Sequence, residues 1–225
     1  RLNDAVANGR QILGVIRGVG LSNDGRSRGL MVPAEEGQVR ALRAAYAESG
    51  VSPHDISLVE CHATGTVVGD GAEVRSMRGV FTEARALPVG SLKSNVGHLI
   101  TASGAAAVIK VLAAMRHQVR PPTRTANEPI GEFADGMFRV LRDAEPWDAP
   151  VSGAPRRAAI SNFGFGGNNA HLILEEWTGT VPAAAPGMHL ATSAGAIAVV
   201  AQSVRTGSSD TRFADAVFAT GAPGD

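Results

Sequence analysis

The chain has 225 residues, 44% of them hydrophobic and 19% charged, the composition of an ordinary soluble globular protein rather than a disordered one. Lys plus Arg (21) equal Asp plus Glu (21), so no bulk field draws nucleic acid or an anionic membrane to it. One cysteine, Cys61, excludes an internal disulfide framework and suits a reducing compartment, and no apolar run approaches the length of a membrane span. With no secretory h-region in Arg1–Gly9, a cytoplasmic location is expected. The first residue is not Met and strand-like sequence follows closely, so a piece of a longer polypeptide is expected.

The first element in chain order is Ile12–Val19, a β-branched run bounded by glycines that predicts a buried strand. After the polar loop Ser22–Arg28, Glu35–Ser49 carries apolar residues at helical spacing, acidic residues in its first turn and Gly50 just past its end. It predicts a helix. Ile56–Val59 predicts a second strand, the Gly/Thr-rich stretch Cys61–Gly69 a loop, and about Asp70 to Phe81 a second helix. Leu87–Ser91 reads as a third strand leading into Lys93–His98. The Ala-rich stretch Thr101–His117 predicts a helix that Pro121 and Pro122 stop. Phe138–Leu141 and Ala158–Ser161 are short strands, and Leu172–Glu176 is another, paired with Ala158–Ser161 across the glycine-rich turn Phe163–Asn169.

Alternating strands and helices followed by a hairpin predict an α/β fold with a largely buried, mixed sheet. The Pro/Ala-rich stretch Thr178–Gly187 reads as a linker, dividing the chain into 1–177, a linker over 178–190, and 191–225 as linker or the start of a further domain. Ala196–Val204 reads as a fresh strand and Thr211–Ala219 as a weak helix.

Three polar clusters each follow a predicted strand, where sites collect in open α/β sheets. The first runs from Glu60 through Cys61, His62, Ala63, Thr64, Gly65 and Thr66, continuing to Asp70 and Glu73. The second is Lys93–His98 and the third Asn162–His171. Taken singly, each has a bland explanation: a hydrogen-bonded histidine, a solvated lysine, a turn. Together they offer two histidines beside small and polar residues and a loop with free backbone N–H groups. That set suits an oxyanion forming on a thioester or ketone carbonyl.

His62-Ala63-Thr64-Gly65-Thr66 resembles the HGTGT motif of β-ketoacyl synthases. Lys93–His98 is identical to their KSNVGH motif, and Asn162–His171 is similar to their GFGGTNAH loop. The three stand in the family's order and spacing, and the likeness covers about Arg10 to Trp177. The resemblance implies the C-terminal half of a thiolase-like α-β-α-β-α layered fold, acting in decarboxylative Claisen condensation within a larger synthase. It also implies the following roles. His62 and His98 are the catalytic pair, holding a malonyl thioester oxygen through Nε2. Lys93 sits behind His98 and pairs with Glu73. Thr64, Thr66, Asn95 and Asn168 meet the phosphopantetheine arm of an acyl carrier protein. The Phe165 N–H gives half of an oxyanion hole, its ring a gate, while Gly164, Gly166 and Gly167 let the loop move. No metal and no tightly bound cofactor are expected. The implied partners are acyl carrier protein, the N-terminal half of the ketosynthase and a second copy of the complete domain.

Two departures stand out. Ala63 replaces the motif's Gly, which is tolerable at negative φ, and Asn168 replaces a Thr. More important, the family's nucleophilic Cys belongs to the N-terminal half. Cys61 directly precedes His62 with no helix N-terminus behind it to lower its pKa, so it reads as a small buried residue. A condensing enzyme whose nucleophile lies elsewhere is the primary expectation, and a chain-length-factor-like or decarboxylase-only partner the alternative. A zinc site using His62, His98 and His171 with Asp70 or Glu73 lacks any HExxH or CxxC spacing, and a serine hydrolase lacks a GxSxG elbow. The segment Ala196–Thr206 resembles the opening strand of another ketosynthase-like domain, an arrangement like that of polyunsaturated fatty acid synthases; modular or enediyne-type polyketide synthases fit nearly as well.

Overall fold

A computed structural model of the chain describes residues 1–26 and 32–181. The elements expected beyond Val181, with most of the linker, lie outside the described residues. A short helix not anticipated from the sequence, α1 (Leu2–Ala7), precedes strand β1 (Val15–Asn23). Then come α2 (Glu35–Ser49), β2 (Leu58–Glu60), α3 (Val67–Arg78), β3 (Leu87–Gly90), α4 (Lys93–Val96) and α5 (Ser103–His117). The remaining strands are β4 (Val119–Arg120), β5 (Phe138–Val140), β6 (Glu145–Pro146), β7 (Arg157–Gly164) and β8 (Asn168–Glu175).

Six strands form one sheet in the order β1-β8-β7-β2-β3-β5. β1, β8 and β7 are antiparallel neighbours, whereas β7, β2, β3 and β5 run parallel, so the sheet is mixed as expected. Strand alternation sorts the core into two faces. Leu58, Ala158, Ile160 and Leu174 pack with Ala107, Val111, Leu112 and Met115 of α5. Val59, Ala159 and Ile173, their immediate neighbours, pack on the opposite face with Leu42, Ala45 and Tyr46 of α2 and Val74 and Met77 of α3. The result is a helix–sheet–helix sandwich.

Two boundaries differ from the expectation for a physical reason. α3 begins three residues early, because the Thr66 hydroxyl accepts the Gly69 N–H at 3.2 Å and caps the helix there. β7 and β8 extend to Gly164 and Asn168, so pairing continues into the glycine-rich segment and leaves a tight turn. Packing requires glycine on β1: a Cβ on Gly20 would lie 1.8 Å from the Ala41 carbonyl oxygen and one on Gly18 2.6 Å from the Ala45 carbonyl oxygen, so β1 and α2 touch backbone to backbone.

Candidate active site

Three adjacent parallel strands, in the order β7-β2-β3, deliver the three polar clusters to one edge of the sheet. Phe163 stands near the end of β7, His62 just past β2, and His98 just past α4, the single turn that follows β3. The rings keep that order. His62 lies between Phe163 and His98, its centroid 5.6 Å from the first and 5.7 Å from the second. Both histidines line a cavity of ≈ 710 Å³ together with Thr64, Thr66, Ser103, Asn162, Phe163, Gly164 and Phe165.

The two imidazoles are set differently. His98 Nδ1 accepts the Ile100 backbone N–H at 3.0 Å, with the Ser103 hydroxyl 3.3 Å away. A backbone N–H can only donate, so the lone pair is on Nδ1 and neutral His98 carries its proton on Nε2. The turn that delivers that N–H is unusual: Gly97 has φ 80° and Ile100 φ 50°. A β-branched residue in the left-handed region stores strain, a feature that gathers at functional sites. His62 is kept neutral by burial, reinforced by Lys93 and His98, which together lower its pKa from 6.5 to about 4. Its Nδ1 has no partner among the described residues.

Glu73 of α3 is 3% exposed and accepts the backbone N–H groups of His62 (2.7 Å) and Ala63 (2.8 Å) on its two oxygens. It thereby fixes the loop that carries His62. Burial pushes its pKa from 4.5 up to about 7, with the two N–H groups pulling back. This corrects the expected Lys93–Glu73 pair. No carboxylate among the described residues lies within 4.0 Å of the Lys93 ammonium, which burial lowers from its ordinary pKa while Glu73 and Glu60 oppose from further away. The buried lysine pair is instead Lys110 of α5 with Glu60 at 2.6 Å, and the other Glu60 oxygen accepts the Leu92 N–H at 2.6 Å. Glu60 was legible in the sequence only as a flank to Cys61. A carboxylate ending an apolar strand is the signal, since it must find a partner when buried.

Other expectations divide. Thr64 and Thr66 line the cavity, their hydroxyls 3.4 Å apart, although the Thr66 hydroxyl is already engaged as a helix cap. Asn95 and Asn168 do not line it. The Asn95 side chain bridges Ser94, Arg124 and Pro122, and Asn168 accepts from Asn23. The neighbouring Asn169 faces the cavity instead, along with Asp24 and Gln38, three residues the motif reading did not single out. Ala63 has φ +26° rather than the negative value on which its tolerance rested, and the hydrogen bond to Glu73 holds it there. Phe165 is 68% exposed at the tip of the glycine turn, and its N–H has no acceptor among the described residues. Gly166 and Gly167 take φ of 83° and 75°, whereas Gly164 continues β7 without a positive φ.

His171 is not part of the site. It is fully buried between the Ser161 hydroxyl (3.0 Å) and the Tyr46 hydroxyl (3.4 Å), so the three histidines of a zinc reading do not converge. Cys61 is buried at the end of β2, and burial with Glu73 and Glu60 nearby drives its thiol well above the usual range. Among the described residues, no helix is long and apolar enough to cross a membrane.

A mixed sheet between helix layers, with paired histidines and a glycine turn at the edge of its parallel strands, is the C-terminal half of a thiolase-like condensing-enzyme fold. Comparison with known proteins agrees. The pattern described as "Beta-ketoacyl synthase, C-terminal domain" matches residues 13–127, and "Ketoacyl-synthetase C-terminal extension" matches residues 127–219, crossing the boundary drawn at 178. The chain belongs to the β-ketoacyl synthase family. It is 44% identical over 83% of its length to the phenolphthiocerol synthesis polyketide synthase type I Pks15/1 of Mycobacterium bovis, and 44% identical over 78% to erythronolide synthase EryA2 of Saccharopolyspora erythraea. The ketosynthase from module 6 of the bacillaene synthase of Bacillus subtilis superimposes with a TM-score of 0.76 at 38% identity over 79% of this chain. The chain spans 33% of that structure, and 9% and 5% of the two curated relatives.

Proposed function

We propose that this chain supplies the decarboxylation and oxyanion half of a ketosynthase active centre within a polyketide synthase. The observation that carries it is the meeting of two imidazoles in one cavity, with the Nδ1 of His98 occupied so that its Nε2 must be the donor. A malonyl thioester on acyl carrier protein, reaching in along Thr64 and Thr66, presents its carbonyl oxygen to the two rings. Loss of CO₂ leaves the bonding electrons on that oxygen as an enolate. Donors already in place stabilise it without reorganisation, and because neither ring is charged, no proton is committed to the nascent carbanion. The carbanion attacks the acyl thioester on the cysteine of the N-terminal half, one C–C bond forms, and the thiolate leaves. The Phe165 N–H would receive the oxygen of that second thioester, and the turn around it would admit the acyl chain.

In the complete ketosynthase, His62→Ala or His98→Ala is expected to lower malonyl decarboxylation by at least about 100-fold, the usual effect of removing one oxyanion donor. Phe165→Ala should slow acyl transfer more than decarboxylation. Full turnover by both histidine variants would end this reading. Decarboxylation without condensation by the intact protein would instead favour a partner subunit.

A further inference from the structure

One polar group in the cavity is unexplained by the chemistry above. Gln38, in the first turn of α2, lines the same cavity as His62 and His98 yet is only 1% exposed. Its Oε1 is buried with no hydrogen-bond partner. Surrounding polar groups are otherwise engaged. Asn169 donates to Asp24 at 2.6 Å, and Asp24 accepts the Ala34 N–H at 3.1 Å. A buried carboxamide oxygen without a partner costs about 1–3 kcal/mol, and natural interiors rarely keep one without a use. The walls around it are largely apolar, with Val32, Pro33, Phe163 and Phe165 among them. A buried, unpaired amide oxygen beside such walls suits recognition of one oxygen on an otherwise hydrocarbon ligand.

We infer that Gln38 is a specificity residue that hydrogen-bonds a hydroxyl or ketone oxygen carried along the acyl chain, so that this site prefers oxygenated acyl thioesters over fully reduced ones. The inference rests on the ketosynthase reading. The carboxamide serves both oxygen functions, because a half-turn of its last side-chain bond presents either the carbonyl to a hydroxyl or the NH₂ to a ketone. Discrimination of this kind is strong where a buried polar group is left unpaired by the wrong substrate.

The test uses the complete ketosynthase with N-acetylcysteamine thioesters of equal chain length: saturated, 3-hydroxy, 5-hydroxy, 3-keto and 5-keto. The parent enzyme is expected to condense at least one oxygenated chain with kcat/KM at least about fivefold above the saturated one, a net hydrogen bond's worth. Gln38→Met, close in volume and apolar, should lower that ratio to near one. No preference in the parent, or a preference that survives Gln38→Met, would overturn the assignment while leaving the condensation chemistry intact. A parent that decarboxylates and condenses none of the substrates would overturn both. Gln38→Leu is the second variant should Gln38→Met fail to fold, and a preference that survives it overturns the assignment equally.

Discussion

At the scale of single residues, the site is governed by how the protein keeps His62 neutral and fixes the ring of His98. The folded state holds His62 uncharged down to about pH 4, whereas in the unfolded chain it would protonate near its ordinary 6.5. Its folded pKa is depressed, so the unfolded state binds more protons between these values and acid favours unfolding there. His62→Gln removes that contribution. The stability of this variant relative to its parent should therefore rise as pH falls from 6.5 to 4, as read by denaturant titration of the complete domain. A flat difference would mean His62 is not held neutral. Glu73 has the opposite sign, since its carboxyl is raised to about 7 from 4.5 and its contribution weakens as pH climbs through that window. Glu73→Gln leaves one backbone N–H of the His62–Ala63 pair facing an NH₂ group. The expected loss is about 1–3 kcal/mol of stability, with slower decarboxylation because the His62 loop loosens. Unchanged kinetics and unchanged melting together would deny Glu73 this role.

At the scale of elements, the sheet edge works because β7, β2 and β3 are parallel neighbours whose ends present Phe163, His62 and, through α4, His98. α5 adds a clamp from the other side: Lys110 reaches Glu60 at the tip of β2, and Glu60 in turn holds Leu92 ahead of α4. On the opposite face, α2 lies close against β1. Gly20→Ala would drive a methyl into the Ala41 carbonyl oxygen at 1.8 Å and the Ala45 nitrogen at 2.5 Å. Overpacking of well-packed backbone costs about 1–3 kcal/mol or more, and α2 carries Gln38. Thermal unfolding of the complete domain should drop by several degrees. A melting temperature equal to the parent's would show that the two backbones can separate freely.

At the scale of the molecule, the proposed reading assigns the nucleophile to the N-terminal half rather than to Cys61. That thiol is buried and its pKa raised, the reverse of a reactive nucleophile's environment. The site's rim also exposes Val67, Val68, Ile100 and Phe165, each more than 60% accessible. An apolar rim of that kind marks an interaction surface, and in the proposed reading the N-terminal half meets it. Incubation of this chain alone with an acyl thioester should give no covalent adduct by intact-mass measurement. Stoichiometric acylation at Cys61 would contradict the division of labour between the two halves.

The mixed sheet, most helix positions and the three polar clusters were legible in the sequence, because strand and helix periodicity and glycine placement are local signals. So was the burial of Cys61, from its place after an apolar strand. Partner choice was not. Whether Glu73 meets a lysine or two backbone N–H groups, and whether Glu60 pairs with Lys110, depends on how β2, α3 and α5 stack. The same holds for Asn168 and Asn169: adjacent strand residues point to opposite sides, so a motif position names the pair but only the β7–β8 register decides which amide faces the cavity. Chain-local chemistry determined that this protein brings two histidines and a glycine turn to a sheet edge. The tertiary packing determined which atoms of those groups are free, since a hydrogen bond formed across distant segments is invisible until those segments meet.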